Sequence, residues 1–122
     1  LQSAKIILPE DWVAEGDKKF DIGEKTISRF SQIIAGAQTI VWNGPLGKFE
    51  DDRYLNGSRK IAEAILATKA FAVVGGGDTY QLLKILKLEN RFGFFSTGGG
   101  AMLEFLAGKK LPALEALEEH AN

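Results

Sequence analysis

The sequence contains no cysteine, which excludes a disulfide framework, a thiolate metal site and a cysteine nucleophile, and which fits a reducing compartment such as the cytoplasm. An excess of charge is lacking too. Fifteen basic residues stand against sixteen acidic ones, a formal net charge of -1, so no bulk field draws the chain to nucleic acid or to an anionic membrane. Any anion site must be local. No apolar run approaches the roughly 18 residues of a membrane span. The start, Leu1-Gln2-Ser3, is neither a signal peptide nor an initiator methionine, which reads as a fragment or a trimmed chain. There is no internal repeat and no low-complexity segment. His120, near the end, has no acid or serine placed to make a triad, and it is assigned no role.

What remains, 122 residues of which 45% are hydrophobic and 25% charged, has the balance of one soluble globular domain. Short runs rich in branched and aromatic residues recur at Lys5 to Leu8, Thr39 to Trp42, Phe71 to Val74 and Phe92 to Phe95, each of a length for a buried strand. Between them the spacing predicts helices. The apolar positions are Ile27, Phe30, Ile33 and Ile34; then Ile61, Ala64 and Ile65; then Leu82, Ile85 and Leu86; then Met102, Phe105 and Leu106. Strand and helix alternate, which argues for parallel βαβ units. The polar stretch Glu10 to Lys19, with Gly16 inside it, reads as an exposed connection. Residues 1–111 form the main unit, and residues 112–122, opened by Pro112, a short terminal helix or tail.

Three of the four predicted strands run directly into small, turn-forming clusters: Asn43-Gly44-Pro45-Leu46-Gly47, Gly75-Gly76-Gly77-Asp78-Thr79 and Ser96-Thr97-Gly98-Gly99-Gly100. In a parallel sheet all three lie at the carboxyl edge, where open α/β sheets bind ligands. Glycine lets a phosphate approach the backbone N–H groups closely, and the helix that follows adds unpaired N–H groups and the positive end of its dipole. Neither of the last two clusters fits a Walker A loop, since no Gly-Lys-Ser/Thr follows, nor the dinucleotide spacing, since positions 80 and 103 are Tyr80 and Leu103. Asp78 is the carboxylate inside a glycine cluster, where a metal bridging phosphate oxygens takes an oxygen ligand. The bland alternative is an ordinary tight turn with Asp78 as an N-cap. Glu50 either accepts hydrogen bonds from a ribose or belongs to a solvated acidic loop, Glu50-Asp51-Asp52.

The run Val41-Trp42-Asn43-Gly44-Pro45-Leu46-Gly47-Lys48-Phe49-Glu50 resembles the Trp-Asn-Gly-Pro-x-Gly-x-Phe-Glu signature of the phosphoglycerate kinases. It is joined, in the family's order, by Val74-Gly75-Gly76-Gly77-Asp78-Thr79 and by Ser96-Thr97-Gly98-Gly99-Gly100 with the segment up to Pro112. Asp21-Ile22-Gly23-Glu24-Lys25-Thr26 is similar to the family's Asp-Ile-Gly-Pro-Lys-Thr element. The resemblance implies an α/β, doubly wound, mostly parallel, Rossmann-like sheet, present here as the incomplete C-terminal portion of a two-domain kinase. It implies phosphoryl transfer between 1,3-bisphosphoglycerate and ADP, giving 3-phosphoglycerate and ATP, with Mg²⁺ as cofactor.

Residue by residue, the resemblance implies that Asn43, Gly44 and Pro45 line the nucleotide site with Lys48, and that Glu50 holds the ribose. Gly75, Gly76, Gly77 and Thr79 would contact phosphate, Asp78 would bind the metal, and Gly98, Gly99 and Gly100 would meet the phosphoryl group in transit. Lys48 stands where the family usually has a small apolar residue, Glu24 replaces a proline, and the stretch from Trp12 to Asp21 is short for the family. The implied phosphoglycerate-binding domain and the first βα units are missing from the chain. This leads to two expectations: no turnover by the chain alone, and association through an exposed sheet edge. The rival readings are a free-standing nucleotide- or phosphate-binding module and a non-catalytic structural remnant.

Overall fold

The computed structural model describes residues 5–93, 95 and 96. The predicted loop at Gly98, Gly99 and Gly100, the helix carrying Met102, and the division at residue 112 lie outside the described residues. Among the described residues the strands and α-helices follow in the order β1 (Trp12–Glu15), β2 (Lys18–Ile22), α1 (Glu24–Ala35), β3 (Thr39–Asn43), α2 (Asn56–Leu66), β4 (Phe71–Gly75), α3 (Gly77–Leu86) and β5 (Phe95–Ser96). None of these helices is long and apolar enough to cross a membrane.

The central element is a parallel sheet of order β3-β4-β5. Thr39 pairs with Phe71 and Asn43 with Gly75, while Gly75 pairs in turn with Ser96. The register leaves the three strands ending side by side, so the loops that follow β3 and β4 share one edge. The fold is therefore α/β with βαβαβ connection, as the alternation implied. Strand order advances in one direction only, and the reversal that defines a doubly wound sheet is not among the described residues.

The helices cover the sheet with the apolar stripes their spacing announced. Ile27, Phe30 and Ile34 of α1 and Ile61 and Ile65 of α2 are buried with Ile40, Trp42 and Val74 of the sheet in one cluster. Each such side chain contributes about 1.5–3 kcal/mol when fully withdrawn from water. The α3 stripe differs from expectation. Its buried positions are Thr79, Leu82 and Leu83, and Leu86 packs against the core, whereas Ile85 is 46% exposed, so Leu83 takes the inward place that spacing gave to Ile85.

Two further expectations are corrected. Lys5–Leu8 is not a strand: it pairs with nothing among the described residues, and only Ile7 packs on the core while Ile6 and Leu8 face outward. The stretch taken as an exposed connection instead forms most of an antiparallel hairpin, β1 with β2, in which Glu15 pairs with Lys18 and a bulge falls between Val13 and Ala14. Its two-residue turn is Gly16-Asp17, with positive φ (61°) at Gly16 alone, the pattern of a type II′ turn.

The hairpin is tied to α1 by a cap that comes from far away in sequence. Gly23, at the N-cap position, has no side chain to offer, and Asp11 supplies one. Its Oδ2 accepts the Lys25 N–H at 3.0 Å and its Oδ1 the Thr26 N–H at 2.8 Å, while the buried Thr26 hydroxyl donates to Oδ1 at 2.6 Å. These bonds hold the Asp11 carboxyl below its ordinary value, the Thr26 hydroxyl being the largest cause.

Candidate functional site

The loops after β3 and β4 are stitched together at the sheet edge. The Gly44 N–H donates to the Thr79 hydroxyl at 2.7 Å, and the Trp42 indole N–H donates to the Gly44 carbonyl at 2.8 Å. Gly44 is thus gripped on both sides, at a φ of 109° that favours glycine. The Asn43 side chain leans over the second loop so closely that a Cβ on Gly76 would stand 2.8 Å from its Oδ1. Farther along, the Leu46 N–H donates to the Ser58 hydroxyl at 3.0 Å and the Lys48 N–H to the Phe20 carbonyl at 2.7 Å. Residues of β2, β3, α2 and α3 all converge on this one loop.

Beneath it lies a residue that local spacing did not single out as functional. Asp21 is only 2% exposed, yet its Oδ1 accepts the Ile22 N–H and its Oδ2 the Gly57 N–H, both at 2.8 Å. Gly57 is in the first turn of α2, so Asp21 compensates unpaired N–H groups there and meets the positive end of the dipole. Burial pushes its pKa up, against the opposing pull of the two N–H groups. A Cβ on Gly47 would stand 2.7 Å from Asp21 Oδ1, so the same carboxylate also sets how closely the loop can settle. In the sequence Asp21 stands three residues before the start of α1. It serves instead a helix 36 residues onward, a distance at which local spacing gives no signal.

Between hairpin and loop opens a cleft of about 300 Å³. Trp12, Lys19 and Phe20 form the hairpin wall, and Pro45, Lys48 and Glu50 the loop wall, with Asp78 also lining it. Four sequence-predicted residues, Pro45, Lys48, Glu50 and Asp78, thus meet in one space. Asn43, Gly44 and Thr79 lie behind it as the stitching just described, and Gly75, Gly76 and Gly77 carry the chain from β4 into α3. The hairpin residues were the ones sequence reasoning missed, although a Gly-Asp turn between short runs was the available signal.

The acidic residues divide by what they already hold. Asp51 accepts the Arg53 backbone and guanidinium N–H groups, which lower its pKa to about 2, and so it stiffens the turn at 51–54. Glu50, exposed next to it, has no hydrogen bond or ion pair among the described residues. Asp78 is likewise exposed and uncommitted among them. It does not cap α3: the N-cap position is Gly76, and no side chain caps this helix. No group of three or more potential ligands comes together among the described residues, so there is no all-protein cage for a cation. One open carboxylate beside a helix N-terminus instead fits Mg²⁺, which takes one or two carboxylates together with phosphates and waters.

Comparison with known proteins agrees with this geometry. The family model described as phosphoglycerate kinase matches residues 2–109. The solved phosphoglycerate kinase of Coxiella burnetii is 41% identical, superposes with a TM-score of 0.70, and is matched over 89% of this chain and 28% of its own. That of Pyrococcus horikoshii OT3 is 36% identical with a TM-score of 0.60, over 84% of this chain and 26% of its own. The chain therefore spans a little over a quarter of the length of these relatives. With the signature loop, the glycine loop after β4 and the family match over nearly all its residues, this chain belongs to the phosphoglycerate kinase family.

Proposed function

We propose that this chain is the nucleotide-binding portion of a phosphoglycerate kinase, an enzyme that transfers a phosphoryl group between 1,3-bisphosphoglycerate and ADP in glycolysis, in the cytoplasm. The observation that carries the reading is the Gly44 to Thr79 hydrogen bond, because it joins the two loops whose exposed carboxylates, Glu50 and Asp78, enter one cleft. Glu50 accepts hydrogen bonds from the ribose hydroxyls. The N–H groups opening α3, from Gly77 to Thr79, face the phosphates with the positive end of the dipole. Asn43 and Thr79 position these groups and keep the loops in register. Gly98, Gly99 and Gly100 supply N–H groups to the phosphoryl group in transit.

Asp78 is the residue that would hold Mg²⁺, whose chemistry there is to neutralise charge on phosphate oxygens. The protein performs no covalent step: catalysis of this kind rests on positioning and on charge stabilisation. Phosphoglycerate is bound through the part of the family's length that this chain does not span. The chain alone is accordingly inactive.

Helix dipoles contribute about 0.3–1 kcal/mol each, up to ~2 when partly buried, so affinity of the isolated chain for Mg-ADP is on the order of millimolar. Calorimetric titration of wild type and Asp78→Asn, with ADP in the presence and absence of Mg²⁺, tests this. Binding that is strengthened by magnesium in the wild type and not in the variant is expected. No binding at about ten times a millimolar constant, by a sample shown to be folded, would favour the structural-remnant reading.

A further inference from the structure

Among the described carboxylates that line the cleft, Glu50 and Asp78 are exposed, whereas Asp21 is buried and each of its oxygens holds a backbone N–H group. Its influence on the site therefore passes through what it holds. The Asp21 to Gly57 hydrogen bond closes the gap between β2 and the first turn of α2. Oδ1 sits in this gap so tightly that a Cβ on either Gly47 or Gly57 would collide with it. The carboxylate and the two glycines form one close-packed seat.

The loop after β3 hangs across the same gap. Lys48 donates its N–H to the carbonyl of Phe20, the neighbour of Asp21, and Leu46 donates its N–H to the hydroxyl of Ser58, the neighbour of Gly57. Both attachments of segment 46–48 thus lie one residue from an end of the Asp21 to Gly57 bond. The segment leads directly into a turn closed by the Asp51 N–H, which donates to the Lys48 carbonyl at 3.1 Å. Glu50 lies inside that turn, and the Arg53 guanidinium pins Asp51 beyond it at 2.8 Å. A shift of β2 against α2 would move the backbone under Glu50 with it. A hydrogen bond from a hydroxyl to a carboxylate tolerates only about 0.5 Å of such movement.

We propose that Asp21 is the positioning residue for Glu50: by joining β2 to the N-terminus of α2 it sets the span from which segment 46–51 hangs, and so the place at which Glu50 meets the ribose of the nucleotide. The inference rests on the nucleotide-site reading. Loss of the Asp21 carboxylate then removes the ribose contact and spares the phosphate contacts at the start of α3. The probe is 2′,3′-dideoxy-ADP, which keeps the base and diphosphate of ADP and lacks both ribose hydroxyls. Its magnesium complex and Mg-ADP are titrated separately into the wild-type chain, Asp21→Asn, Asp21→Ala and Glu50→Ala, at a temperature where melting curves show each to be folded. A variant that is only partly folded loses the same factor for both ligands, so the ratio of the two constants reads position and not stability.

The wild type is expected to bind ADP about tenfold more tightly than the analogue, the scale of a hydrogen bond to a charged group. Glu50→Ala and Asp21→Ala should both bring the ratio close to one by weakening ADP alone. Asp21→Asn, which keeps an acceptor for the Gly57 N–H, should retain part of it. Loss of the ratio in Glu50→Ala but not in Asp21→Ala overturns the inference and leaves the nucleotide site standing. Equal weakening of both ligands by Asp21→Ala also overturns it, because the carboxylate then supports the whole site and not Glu50. A ratio of one in the wild type removes the ribose role of Glu50 and the inference with it, and failure of both ligands to bind removes the nucleotide-site reading as well. Should neither Asp21 variant fold, the carboxyl carbon resonances of the wild type decide: those of Glu50 and Asp21 should both respond to Mg-ADP and neither to the analogue, and a response of Glu50 alone contradicts the inference.

Discussion

The loops after β3 and β4 meet at the same sheet edge but are built in opposite ways. The first is long and tied down, with Gly44, Leu46 and Lys48 each donating a backbone N–H to a different element. The second is short: glycine carries β4 into α3 without a single side-chain cap. The first loop therefore presents side chains, Lys48 and Glu50, at fixed places. The second presents backbone N–H groups and one carboxylate, Asp78. A site for a charged, multi-part ligand needs both, a shaped wall for its neutral end and an open dipole for its anionic end.

Alanine at one glycine of each loop should separate the two designs most widely. A Cβ on Gly47 would stand 2.7 Å from the Phe20 carbonyl and 2.9 Å from that of Tyr54, backbone atoms that cannot swing aside. Gly47→Ala is expected to cost about 1–3 kcal/mol, as overpacking does, and so to lower the melting temperature by several degrees. A Cβ on Gly77 meets nothing within 4 Å, and the residue begins a helix. Gly77→Ala should leave stability unchanged or raise it by up to about 1 kcal/mol. Comparable losses in thermal melts of the two variants would break the contrast.

The stitch between the loops comes next. Thr79 is fully buried, and Thr79→Val keeps its shape while leaving the Gly44 N–H without its acceptor. A loss of about 1–3 kcal/mol in urea unfolding is expected, the cost of an unsatisfied buried donor. Thr79→Ser, which keeps the hydroxyl, should lose less.

The two remote caps differ in their response to acid. The folded chain raises the pKa of Asp21 above its ordinary 3.8, so it binds that proton more tightly than the unfolded chain does. The contribution is present below 3.8 and is lost as pH rises from there through the folded value. Asp11 is shifted downward, and its contribution is lost as pH falls below 3.8 through the folded value. Urea midpoints between pH 2 and 7 should show Asp21→Asn losing a term that falls with rising pH, and Asp11→Asn a term of opposite sign.

The smallest effect on stability is expected at the second loop's own carboxylate. Asp78 is exposed and caps nothing, so Asp78→Asn should alter the urea midpoint by no more than about 0.5 kcal/mol. A larger change would show that Asp78 is part of the frame and not reserved for a ligand.

Much of this frame was legible because it rests on local rules. Runs of branched residues marked β3 and β4 nearly to the residue, and glycines after them marked the loops. The stripes of α1 and α2 followed from helical spacing. What escaped was set by partners distant in sequence. Asp11 caps α1 from 14 residues upstream, and Asp21 reaches Gly57 across 36. The hairpin was hidden because its strands are short and polar, and its burial is supplied by the loop it faces, as in the stacking of Phe20 on Tyr54. Lys5–Leu8 misled in the reverse way, being apolar without a strand to pair with among the described residues. Ile85 stood in for Leu83 because both are apolar and each fits a helical stripe through Leu82 and Leu86 in so short a helix.

The central claim is that both loops belong to one nucleotide site. Backbone amide NMR shifts of the 122-residue chain, followed during titration with Mg-ADP, test it most directly. The account predicts that amides of residues 43, 44 and 46–50 and of 75–79 move together, with a single dissociation constant, and that Phe20 moves with them while the far ends of α1 and α2 stay still. Shifts confined to one loop, two separate constants, or no movement of either loop by a folded chain at saturating ligand would contradict it.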